Sequence, residues 1–165
     1  MSDPDIPNRA MRRAEREIVD PAALAEILRE ARVLFLALRD HPAPYVLPVC
    51  FAYEPGILYI HSAMAGTKID LIAAHPLVGF SACTELAVVA GSSACDYTSR
   101  ARSVTGTGRA SIIEDPEQRA RGLDAIMRHY ATGPAGTQPL YRPGPLARTC
   151  VIAIHIDLLR GKQTG

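Results

Sequence analysis

The chain has 165 residues, enough for one well-filled core and too few for two ordinary domains. Hydrophobic residues make up 48% and charged residues 21%, which excludes the low-hydrophobicity, high-charge regime of disorder. A formal charge of +1 and a pI of about 7.7 exclude the broad electropositive face that nucleic acid or an anionic membrane requires, so any anion site is local.

In chain order, residues 1–19 are polar, with Pro4 and Pro7 followed by Arg12, Arg13 and Arg16. They read as an exposed N-terminal arm ahead of a single domain over 20–165. The stretch MSDPDIPNRAMRRAERE lacks the apolar region of a secretory signal, and no run approaches the roughly 20 apolar residues of a membrane span, which predicts a cytoplasmic protein. Asp20-Pro21 is a helix opening, a cap followed by proline at the first helical position, and Leu24, Ile27, Leu28 and Ala31 share one face, so a helix is predicted over 21–31. Strand-like runs follow at Val33–Leu38, Tyr45–Tyr53, Ile57–His61 and Leu77–Cys83. Asp40, Pro42, Pro44 and Pro55-Gly56 supply turns, so the first three are expected to form an antiparallel meander. Both alternating faces of Tyr45–Tyr53 are apolar. A barrel interior covers one face, and in a chain this small a second subunit is the expected cover for the other.

The segment Ile57–Leu71, ILYIHSAMAGTKIDL, carries the clearest chemistry. An apolar strand breaks at His61 and Ser62 into small residues, and a helix is expected after Gly66, with Thr67 and Asp70 spaced as a capping box and Pro76 stopping it after His75. Unpaired amides at such a helix start attract an anion, and Lys68 in the first turn adds a full positive charge, so the segment is a candidate phosphate site. Neither G-x-G-x-x-G nor a P-loop fits the spacing. The same pattern is equally compatible with a solvated Lys68 and a His61 that closes a barrel end against backbone groups.

The run Thr98–Glu114 sets Arg100, Arg102, Val104, Ala110 and Ile112 on one face, with Gly106 and Gly108 where a sharp bend or close backbone approach is expected. Arg102 is a costly charge on that face without an anionic partner or solvent, which marks it as a candidate ligand contact. Asp115-Pro116 opens a second helix lined by Leu123, Ile126, Met127 and Tyr130, residues 131–149 read as a loop, and Cys150–Ile156 is the closing strand, after which LLRGKQTG trails off. Cys50, Cys83, Cys95 and Cys150 form no C-x-x-C pair, with Cys50 and Cys150 inside apolar strands, and His41, His61, His75, His129 and His155 lack ligand spacing, so no metal site is expected. The predicted fold class is α+β, a small antiparallel barrel of about six strands with a few flanking helices.

MRRAEREI, YIHSAMAGTKIDL, ARSVTGTGRA followed by IIEDPEQR, the MRHY helix end and the terminal GK together resemble the nitroimidazole-reductase (Nim-like) branch of the pyridoxamine 5′-phosphate oxidase-related, FMN-binding split-barrel proteins. The resemblance spans nearly the whole chain. It implies a homodimer of split barrels with FMN in a groove between subunits, and His61 near the flavin ring and substrate. It further implies Ser62 and Lys68 near the flavin phosphate or ribityl chain, and Arg102 with Ser103 as cofactor contacts on the next long strand. Ala101 stands where relatives often carry an aromatic residue, and His155 where a carboxylate is familiar.

The side chains contain no Ser-His-Asp array, no reactive cysteine beside a base and no paired carboxylates near His61, so a cofactor is expected to supply the reactivity. The implied function is an FMN-dependent oxidoreductase that passes electrons from a donor such as NAD(P)H to a small acceptor, with nitroaromatic compounds one candidate and His61 the catalytic residue. The alternative is a flavin- or haem-binding protein without turnover, serving storage, sensing or electron carriage, with His61 or His155 as a haem ligand. A deazaflavin is the third cofactor option.

Overall fold

The computed structural model describes residues 10–84, 86–131 and 141–164. Pro4 and Pro7 of the predicted arm, and 132–140 of the predicted loop, lie outside the described residues. The elements in order are β1 (Glu17–Ile18), α1 (Pro21–Glu30), β2 (Leu34–Leu38), β3 (Tyr45–Val49), β4 (Phe51–Glu54), β5 (Ile57–Ala63) and α2 (Thr67–Ala74). There follow β6 (Leu77–Cys83), β7 (Ala87–Val89), β8 (Thr98–Ile112), α3 (Pro116–Tyr130), α4 (Pro143–Ala147) and β9 (Thr149–Thr164).

The strands form one antiparallel sheet in the order β3-β2-β6-β8-β9-β5-β4, with β1 added to β9 and β7 to β8. The run expected as one strand over Tyr45–Tyr53 is broken at Cys50. Its first half pairs with β2 at one end of that order and its second half with β5 at the other. The expected meander is therefore two hairpins on opposite ends of the sheet. Pro48 has no N–H to give a ladder and is tolerated only on an edge, which β3 is. With the two ends of the sheet joined through the single residue Cys50, the sheet curls round into a split barrel without closing. The α+β split-barrel class is as expected. The strand count rises from about six to nine because of this break and the two short strands β1 and β7.

The barrel interior holds Leu34, Leu36 and Leu38 of β2, Leu58 and Ile60 of β5, and Ile152 and Ile154 of β9, together with Leu24, Ile27 and Leu28 of α1. Asp20 caps α1 as expected, its carboxylate accepting from the Ala22 and Ala23 amides at 3.2 Å each. Asp115 does the same for α3, accepting from the Gln118 amide at 2.8 Å. On the outside, α3 packs against β4, β5 and β9, where Ala125 and Ile126 meet Ala52 and Tyr59.

Three further expectations change. The tail after Ile156 continues as strand: β9 runs to Thr164, pairing with β8 throughout its second half and with β1 at Gly161 and Lys162. A bulge opposite Thr107/Gly108 leaves Asp157 unpaired, so the core-facing phase shifts from Ile152, Ile154 and Ile156 to Leu159, and the simple alternation is lost from view. The polar N-terminal stretch is tied down from Glu17 onward, where β1 joins the sheet and Glu17 accepts from Arg160 at 2.5 Å. Cys50 is exposed at the β3–β4 break, whereas Cys150 is buried as expected. The glycine reading of β8 holds: a side chain at Gly106 would collide with the Phe80 ring and the Leu158 carbonyl.

The outer face of β3, β2 and β6 is apolar and bare. Val46, Phe35 and Leu77 are 57%, 47% and 43% exposed on neighbouring strands. Of the three longer helices, α1 and α2 contribute to the interior cluster and α3 packs against β4, β5 and β9.

Candidate functional site

The strand–loop–helix unit is present as expected, with β5 ending at Ala63 and α2 starting at Thr67. Gly66 is the helix cap, and its φ of +124° is open to glycine and strained for any other residue. The capping box is not formed, because Thr67 is already the first helical residue and its side chain is out of the cap position. The Gly66 carbonyl instead accepts from the Ile69 and Asp70 amides, at 2.8 and 3.1 Å. Among the described residues the Thr67 and Lys68 amides have no backbone acceptor. They form the donor end of a helix with Lys68 beside them, the arrangement that holds an anion.

Lys68 is half-buried and has no carboxylate partner among the described residues. Burial pulls its ammonium below the ordinary lysine range, and the neighbouring Cys150 opposes this more weakly. His61 is held below the ordinary imidazole range first by desolvation and then by the charge of Lys68. Burial pushes the Cys150 thiol up, with Lys68 and Arg119 pulling the other way. His61, Lys68 and Cys150 thus share one electrostatic neighbourhood, and each is shifted toward its neutral form by loss of water.

Register separates the two residues that sequence reading placed together. His61 pairs with Val151 and Ser62 with Cys150. Because side chains alternate, Ser62 follows Leu58 and Ile60 toward the barrel interior, while His61 follows Tyr59 toward α3. His61 there borders a cavity of about 300 Å³ between α3 and the α4 segment.

Arg102 and Ser103 are not brought to this site within the chain. Arg102 pairs with Gln163 on β9, twelve residues beyond the partner of His61, a contour of roughly 40 Å at about 3.3 Å per residue. Its guanidinium donates to Glu26 at 2.5 Å and to Glu30 at 2.7 Å, both on α1. These bonds raise its pKa further. The anionic partner that its strand face demanded is present within the chain, and it is a pair of carboxylates. Ser103 lies between Cys83 of β6 and Lys162 of β9. Arg102→Ala is accordingly expected to cost about 1 kcal/mol or less, since both carboxylates are well exposed; a denaturant titration on the variant checks this.

Sequence reasoning missed Cys150 as a neighbour of Lys68, because only β5–β9 pairing brings them together. It also missed Tyr141 and Arg142, which border the cavity from a segment read as loop. No ligand-spacing signal marks either. Among the described residues no group of three or more potential metal-ligating side chains occurs, and no helix is long and apolar enough to cross a membrane.

An open antiparallel split barrel with flanking helices defines a class of α+β domain. The chain belongs to the pyridoxamine 5′-phosphate oxidase family, whose model matches residues 20–163. It is similar to a candidate 5-nitroimidazole antibiotic resistance protein from Bacteroides thetaiotaomicron, with 30% identity over 89% of this chain and 86% of that one and a TM-score of 0.77. The fold also matches a flavocytochrome of Azotobacter vinelandii, with 20% identity, coverage of 95% and 73% and a TM-score of 0.81. A FAD- and haem-binding protein of Mycobacterium smegmatis matches with 22% identity, coverage of 90% and 73% and a TM-score of 0.79. No curated protein matches the chain.

Proposed function

We propose that the chain is a flavin-dependent oxidoreductase that holds FMN by its phosphate at the start of α2 and reduces a small acceptor beside His61. The observation that carries this is the half-buried Lys68, without a carboxylate partner among the described residues, next to two amides that have no backbone acceptor there, which together fit a phosphate. The flavin, when bound, supplies hydride and electron transfer. The chain's part is to bind and orient: Lys68 and the Thr67 and Lys68 amides hold the phosphate, and the His61 imidazole offers a proton or hydrogen bond at the cavity. A nitroaromatic acceptor is one candidate, supported by the likeness to the Bacteroides protein.

The test is the visible spectrum of the purified protein, with mass analysis of what denaturation releases. A flavin band and FMN mass are expected. Released FAD would change the cofactor, and a Soret band in place of the flavin spectrum would favour the second reading, a haem-binding protein without turnover. That reading draws on the two haem-associated proteins that share the fold.

The reading includes a second copy of the chain. The bare apolar face around Phe35, Val46 and Leu77 needs a cover, and the far end of β9 carries Ser103 away from Lys68 in its own chain, so a two-fold partner would complete the groove. A dimer of twice the 17.8 kDa chain mass is expected in sedimentation at micromolar protein, as suits an interface burying on the order of 2,000 Å² or more. A monomer there would discard the shared groove.

A further inference from the structure

The cavity beside His61 measures about 300 Å³. That is the lower end of the range for small-molecule sites, room for one ring and its substituents and too little for a dinucleotide. Leu123, Ile126 and Met127 of α3 and Leu146 of α4 give it apolar walls. Its polar groups fall into two sets. The Tyr141 hydroxyl donates to Asp124 at 2.7 Å and the Thr149 hydroxyl to the Pro145 carbonyl at 2.9 Å, so both are committed within the chain. The first bond also fixes the Tyr141 ring as a flat wall. His61 and Arg142 remain, and both can donate hydrogen bonds. Among the described residues no carboxylate borders the cavity and Arg142 has no ion-pair partner.

We infer that this cavity binds a planar one-ring acid, its ring between the apolar walls and its carboxylate on Arg142. The guanidinium fork of the exposed Arg142 matches a carboxylate with two parallel hydrogen bonds. His61 is a second donor at the same cavity. A ring bearing an ammonium group meets Arg142 with nothing to offset the repulsion, and a neutral ring gains only the apolar contacts. The inference rests on the flavin reading for what becomes of the bound acid, and on the cavity alone for its binding.

The experiment titrates benzoate, benzamide and benzylamine into the full-length protein as purified, by calorimetry or ligand-observed NMR. Benzoate is expected to bind best, benzamide more weakly and benzylamine not at all. Arg142→Gln should weaken benzoate about tenfold to a hundredfold, the range for a charge-assisted pair, and leave benzamide unchanged. Leu146→Trp, which fills the cavity, should remove binding of both. Benzylamine binding as well as benzoate, unchanged benzoate affinity in folded Arg142→Gln, or unimpaired binding in Leu146→Trp overturns the assignment. The flavin content of the same samples is read separately. A protein free of flavin that still binds benzoate through Arg142 would refute the proposed oxidoreductase and leave the acid site standing.

Discussion

Replacing His61 with alanine is expected to slow acceptor reduction per bound flavin by about 10²–10⁴-fold, the range for a positioned acid or base, with the flavin retained. His61 stands on the α3-facing side of β5 at the cavity, whereas the proposed phosphate site lies at the start of α2, so the two proposed roles are separable by mutation. Its pKa is lowered by desolvation and by Lys68, which predicts two pH effects of opposite sign. Proton donation from the imidazolium weakens as pH rises through the lowered pKa, so turnover declines with an inflection below about 6.5, and the alanine variant loses that inflection. For stability, the folded state resists the proton that the unfolded chain accepts at about 6.5. Stability is therefore full above that value and falls as pH drops through it toward the lowered folded pKa. His129, also lowered mainly by burial, contributes in the same direction. A histidine that only closes the barrel end would show the stability change with turnover per flavin unaltered, so both are measured on one variant.

Lys68→Ala is expected to weaken FMN about tenfold to a hundredfold while leaving riboflavin, which has no phosphate, little affected. The basis is charge and geometry together. Lys68 is partly desolvated with no internal carboxylate, so a bound phosphate restores favourable surroundings for its ammonium, and its pKa should rise when the ligand binds. Lys68→Arg keeps the charge and should recover part of the affinity. Equal losses of FMN and riboflavin would place the lysine elsewhere on the cofactor. No loss at all would return it to the solvated surface. Removing the charge also relieves one of the two causes that lower the His61 pKa, so an upward shift of the His61 titration in Lys68→Ala checks their proximity without any cofactor.

Much of this molecule is local in origin and therefore legible along the chain. Asp20-Pro21 and Asp115-Pro116 open helices through contacts within a few residues, and Ile57–Ala63 leads into α2 through a loop whose glycine is needed for its own φ. The apolar runs Val33–Leu38, Ile57–His61 and Leu77–Cys83 form β2, β5 and β6 close to where the sequence places them. What the chain order could not reveal depends on pairing between distant segments. Two capping-type residues at Thr67 and Asp70 look like a box until the helix start is seen to fall one residue earlier than that box needs. The unbroken apolar run at Tyr45–Tyr53 conceals a strand that changes partners at Cys50, because hydrophobicity does not record which neighbour a strand pairs with. The bulge at Asp157 disguises half of β9 as a tail by reversing the phase. The candidate site divides on the same line. Lys68 beside a helix start is a local pattern and was visible, but the Arg102 pairing with Glu26 and Glu30, more than 70 positions earlier, and the meeting of Lys68 with Cys150 exist only because tertiary packing brings residues remote in the chain together.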